Sequence, residues 1–162
     1  MSKKIIVSLS IFVFLLAGCG REELKPKDVV GSKEVSTASD EITKIEFEYY
    51  ITLISGKYLS TDIYERNSER YNKVVVEALL DVESAKQELN EKFKSGTPGL
   101  SDLLNLAGAT ETALNKLLDG EYATRSEYAN KAGQIMGDIS RTYLDGELPS
   151  IVKTYTGVEN TK

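Results

Sequence analysis

Acidic side chains at helical spacing are the first residues of this chain that could do chemistry. Glu65 and Glu69 stand four apart, and Asp81, Glu83 and Glu88 follow on the same stretch. Two carboxylates turned into the interior of a helical bundle can hold a divalent metal, or act as the acid and base of glycoside hydrolysis. Here they alternate with Arg66, Arg70, Lys73, Lys86 and Lys92 and lie off the apolar stripe. That is the pattern of a solvated helix face.

Other routes to catalysis fall away by composition. The sequence has no histidine, which removes Ser-His and Cys-His pairs, imidazole acid–base catalysis and His-based metal sites. Neither a GxGxxG nor a GxxxxGK[ST] phosphate loop occurs. "SIVK", Ser150 to Lys153, has the Ser-x-x-Lys spacing of the penicillin-recognising acyl enzymes. Those enzymes set the serine at a helix start in a large α/β scaffold with two further motifs, whereas this one lies in the tail of a small chain. No catalytic residue, metal ligand or cofactor is expected.

The one cysteine, Cys19, is informative about location. "MSKK" gives a basic start, and Ile5 to Ala17 is an uncharged apolar run of about 13 residues, short of the roughly 20 that cross a bilayer as a helix. Behind it stands "LAGC": Leu16, Ala17, Gly18 and Cys19. This order resembles the signal peptide and lipobox of bacterial lipoprotein precursors, matching all four lipobox positions. The resemblance covers residues 1–19 only. It implies that Leu16, Ala17 and Gly18 guide a signal peptidase, that residues 1–18 are removed, and that the Cys19 thiol carries a diacylglycerol. The implied address is the extracytoplasmic face of a cell membrane. Lys-, Ile- and Tyr-rich usage leans towards a low-GC Gram-positive source, with a two-membrane cell left open.

Removal of residues 1–18 deletes Lys3 and Lys4 and no acid, taking the formal charge from −5 to −7. An acidic chain without a dense basic patch argues against nucleic acid and against electrostatic adhesion to anionic lipid. The membrane contact expected is the diacylglycerol on Cys19.

The elements that must position any site follow a flexible tether, residues 19–39, with a span of about 25 Å. A helical domain over 40–148 and a frayed or loosely docked tail over 149–162 complete the chain. Ile42, Ile45, Tyr49 and Leu53 mark an apolar stripe, with Ser39 or Asp40 as its cap and a break or kink near 56–61. Asp62 and Glu65 have capping-box spacing ahead of a helix from Asp62 to Lys94. One continuous bent helix over this whole stretch is the alternative. Its stripe is Tyr64, Tyr71, Val75, Leu79, Val82, Leu89 and Phe93. "SGTPG" offers Thr97 as a cap and Pro98 in the first turn of a helix ending in "LLDGE" at Leu118–Glu121. Another helix, Thr124 to Leu144, ends in "YLDGE". The repeated LDGE reads as one stop signal used twice, with glycine closing each helix in the left-handed conformation. The predicted fold is all-α: an up-down bundle of about four helices.

Two surface features carry the functional expectations. Ala129, Gly133 and Gly137 form a small-residue ridge at four-residue spacing, which lets helix backbones approach closely. Contact within the bundle is expected, with a homodimer seam or partner contact as the alternative. Tyr58, Tyr64 and Tyr71 crowd the first half of the domain, either as core-edge residues or as a surface that stacks on sugars or peptides. The resulting expectation is a non-enzymatic helical module at the cell envelope that contacts an envelope protein. Binding of wall polymer or glycan through the tyrosines is the alternative.

Overall fold

A computed structural model describes residues 38–157, which fall within one unit, Val35–Lys162. Residues 1–37, with Leu16, Ala17, Gly18, Cys19, the proposed signal and most of the tether, lie outside the described residues, as do 158–162. The architecture is all-α. Helix α1 is Lys44–Ser60 and runs directly into a single 3-10 turn, Thr61–Ile63, so the two make one bent helical run. Then come α2, Glu69–Lys92; α3, Leu100–Leu118; α4, Thr124–Tyr143; and α5, Ser150–Thr156. Helices α1 to α4 run up, down, up, down. Helix α1 packs on α2 and α3, α2 on α3, α3 on α4, and α5 on α1.

The cap of α1 is Thr43, not Ser39 or Asp40. Its hydroxyl accepts the Glu46 N–H while the Glu46 carboxylate accepts the Thr43 N–H, a complete capping box. The phase of the α1 stripe also differs from expectation. Phe47, Tyr50, Ile51, Ile54 and Tyr58 are buried, whereas Ile45 is 81% exposed and Tyr49 half exposed. Helix α1 has neighbours on several sides, so its apolar residues wrap the cylinder and periodicity alone selects no single face.

Gly56 does not break α1. The chain turns five residues later, where the Thr61 hydroxyl donates to the Tyr58 carbonyl and Asn67 takes a positive φ of 64°. The α2 cap is Ser68, which accepts the Tyr71 N–H, so the Asp62–Glu65 capping box is not formed and Glu65 precedes the helix. Asp62 is instead drawn to Arg125. Thr97 is not a cap and Pro98 is outside α3, which starts after Gly99. Both LDGE segments lie at a helix end, with φ of 82° at Gly120 and 79° at Gly146, but in the second the left-handed turn begins one residue earlier, at Asp145 with φ of 55°.

At one end of the bundle the chain before α1 is clasped. The Ser39 N–H donates to the Lys92 carbonyl at 2.7 Å, and the Lys94 N–H donates to the Ser39 carbonyl at 3.0 Å, a single parallel bridge. The Thr97 hydroxyl donates to the same carbonyl at 3.2 Å. Just below, Phe47 and Tyr143 stack with ring centroids 4.6 Å apart. Gly99 lies against them with φ of 80°, and a Cβ there would come within 2.3 Å of the Phe47 ring. Only glycine satisfies both the backbone and the space.

The tail is more ordered than expected. Helix α5 lies on α1, with Ile151 Cδ1 3.7 Å from the position of a Cβ at Gly56, and the Ser150 N–H donates to the Glu48 carboxylate at 2.9 Å. Ile151 and Val152 pack on the core, although no α5 residue is fully buried.

Candidate functional site

Helices α1 and α4 meet through side chains, not backbone. At one end the contact is the Phe47–Tyr143 stack; at the other, Tyr58 and Tyr128 lie with centroids 4.0 Å apart. These rings hold the helices apart and leave a lengthwise gap that α5 covers in part. A cleft of about 260 Å³ remains between α4 and α5. Its floor is Ala129, Ala132, Gly133 and Met136 of α4, and its facing wall is Leu59, Val152 and Tyr155.

The small-residue ridge is therefore not an internal contact, contrary to expectation. Ala129 and Gly133 are exposed and Gly137 is half exposed. Nothing lies within 4 Å of a Cβ at Gly133, and only the Arg141 guanidinium approaches Gly137. The tyrosine rings take up the space that a close helix neighbour would need.

One end of the cleft is polar. The Arg125 guanidinium pairs with Asp62 at 2.7 Å, donates to the Thr61 hydroxyl at 2.9 Å, and lies 5.8 Å from the Tyr58 ring centroid. Behind it the Tyr58 and Tyr71 hydroxyls and the Arg125 Nε are buried without a hydrogen-bond partner. Burial pushes the Tyr58 hydroxyl well above the usual phenol range, against the opposing charge of Arg125. Tyr71 is raised for the same reason. Arg125, which lies close to the Tyr71 hydroxyl, opposes that shift too.

Tyr128 is contrastingly well served. Its hydroxyl contacts Ser55 and Thr110, both at 3.1 Å, and the Thr110 hydroxyl also donates to the Leu106 carbonyl. Burial raises its pKa while those two contacts lower it.

The chain matches no family model, no curated protein and no solved structure.

The remaining sequence candidates separate. Tyr58 and Tyr71 are 3% and 0% exposed, so they belong to the core and do not form a surface with Tyr64. Their rings fill the interior between α1, α2 and α4, which takes them out of reach of a polymer. Tyr64 is half buried, with the Arg70 guanidinium 5.1 Å from its ring. The acidic residues lie on the solvated face: Glu65, Glu69 and Glu83 are exposed, and Asp81 pairs with Lys57 at 3.1 Å. Among the described residues no group of three His, Cys, Asp or Glu side chains converges to hold a metal. Ser150 and Lys153 share α5 but not a site, since Lys153 turns to Glu147 at 3.8 Å.

Sequence reasoning missed Arg125, Asp62, Met136 and the whole contribution of α5. One signal was available: Ile151, Val152 and Tyr155 stand at i, i+1 and i+4 after Pro149, the start of a short amphipathic turn.

Proposed function

We infer that this chain is a lipid-anchored protein of the bacterial envelope whose helical bundle works by binding a protein partner and not by catalysis. The observation that carries the reading is the order of basic start, apolar run and Leu16-Ala17-Gly18-Cys19 ahead of a helical bundle. Two acyl chains on one cysteine make a stable anchor where one would bind only marginally. No helix among the described residues is long and apolar enough to cross a membrane, so attachment in this reading rests on Cys19. The all-α bundle supports a binding role: its exposed carboxylates are spread along solvated helix faces, and one of its clefts, between α4 and α5, is lined mostly by apolar side chains. Wall-polymer binding rested on Tyr58, Tyr64 and Tyr71, of which two are buried and only Tyr64 is partly exposed, so the protein partner is preferred here.

Two measurements test it. Cells fed an alkyne fatty acid should label the wild-type protein, and Cys19→Ser should lose both label and membrane association. Unchanged labelling in that variant would refute the anchor. A photo-crosslinking residue in place of the exposed Gln134 should capture one envelope protein reproducibly in living cells. Recovery of nothing but abundant neighbours would refute the partner.

A further inference from the structure

The cleft between α4 and α5 has a polar end and an apolar length, and both select the same kind of ligand. The floor from Ala129 to Met136 runs for about 10 Å along α4 at 1.5 Å per residue. Its volume, about 260 Å³, exceeds the roughly 150 Å³ that holds benzene and falls just under that of drug-sized sites. A single chain or ring fits; two side by side do not.

At the polar end, Tyr58 lines the cleft with 3% of its surface exposed, and its hydroxyl has no partner. The Arg125 Nε beside it is likewise unpaired. Buried donors in this state gain a hydrogen bond from any acceptor oxygen that reaches them. Among the described residues the Arg125 charge is paired with Asp62, whose side chain is 65% exposed while that of Arg125 is 17% exposed. The carboxylate half of the pair faces water, so a carboxylate entering the cleft can compete with it for the guanidinium. On the apolar side, α5 buries no residue fully and packs on α1, so the wall it forms can adjust to an occupant.

We propose that this cleft binds a single-chain carboxylate amphiphile, with the carboxylate at Arg125 and Tyr58 and the aliphatic or aromatic body along Ala129, Gly133 and Met136 under Tyr155. The site lies wholly within the bundle and does not depend on how the chain is anchored.

The test uses the full-length protein in its native membranes, probed with a diazirine-bearing decanoate and with the matching amine of the same chain length. The carboxylate probe should crosslink to Met136, Val152 and Tyr155, and unlabelled decanoate should compete it away. The amine probe should label these residues about tenfold less. Gly133→Leu places a side chain in the open cleft, where nothing stands within 4 Å of its Cβ. It should cut cleft labelling at least about tenfold with no loss of melting temperature. Arg125→Gln should erase the preference for carboxylate over amine. Equal labelling by the two probes, or full labelling in Gly133→Leu, would overturn the proposal. Labelling by a two-chain diazirine phospholipid and not by the carboxylate would overturn it as well.

Discussion

The two aromatic junctions between α1 and α4 have similar ring contacts and opposite surroundings. At the Phe47–Tyr143 end a glycine is forced under the rings, Ser39 is clasped beside them, and Glu46 closes a capping box bonded to Lys92 at 2.7 Å. At the Tyr58–Tyr128 end the rings approach more closely, yet two hydroxyls and one guanidinium nitrogen stay unmet; a cleft borders each end, but only here does it run beside such groups. Close packing fixes the first junction in one arrangement. The second keeps unspent hydrogen-bonding capacity in a dry setting, where it is worth most to an incoming group. Close packing and unmet hydrogen-bonding groups are thus placed at different ends of one helix pair.

The largest expected effect comes from breaking the packed end. Gly99→Ala combines a positive φ with a steric clash and should destabilise by about 3 kcal/mol, read from the urea midpoint. A loss below about 1 kcal/mol would remove the distinction between the two ends. A matched pair of substitutions sharpens the other junction. Tyr128→Phe should lower stability by about 1–2 kcal/mol, because it strands the buried Ser55 hydroxyl, while Thr110 keeps its bond to the Leu106 carbonyl. Tyr58→Phe should stay within about 0.5 kcal/mol of the parent, since its hydroxyl has no partner to lose. Equal losses in thermal unfolding would show that both hydroxyls are engaged.

A smaller effect of opposite sign is expected at the cleft. Gly133→Ala should stabilise by about 0.5–1 kcal/mol, because the site is an exposed helical position with room for a methyl group. Destabilisation would mean that the ridge already has a neighbour. The smallest effect is pH-dependent and belongs to the packed end. Burial alone would raise the Glu46 pKa, but hydrogen bonds from Lys92 and Thr43 together hold it below the usual carboxylate value. The resulting stability is present above the unfolded-state pKa and is lost as pH falls through the lowered one. For so exposed a pair the loss should stay below about 1 kcal/mol and be absent in Glu46→Gln, as measured by melting temperature in acid.

Helices α3 and α4 were legible because each has a one-sided apolar stripe and an LDGE stop. Leu103, Ala107, Leu114 and Leu117, and then Tyr128, Ala132 and Ile139, are buried as their spacing requires, whereas Leu118, expected to point inward with them, is 41% exposed at the end of α3. Helix α1 was not, since Ile45 and Tyr49 put large apolar side chains on its exposed face and blur the phase of the stripe. The turn after α1 falls at the far edge of the expected window, 56–61, because Gly56 weakens helix propensity only locally while hydrogen bonds at Thr61 and Ser68 decide where the chain bends. The cleft was illegible for a different reason. Its ridge is visible in sequence, but whether a small residue packs or lies open depends on the size of rings on another helix. Arg125 gave no signal, because its partners Thr61 and Asp62 are some sixty positions away.

The clasp at Ser39 has a mechanical consequence. A pull on the chain from its N-terminal side meets the two backbone bonds to Lys92 and Lys94 first, before any load reaches the Phe47 ring. Those bonds work as a strain relief at the root of the bundle. The cleft, at the far end of α1 about 25 Å along the helix axis, is mechanically insulated from whatever holds the chain.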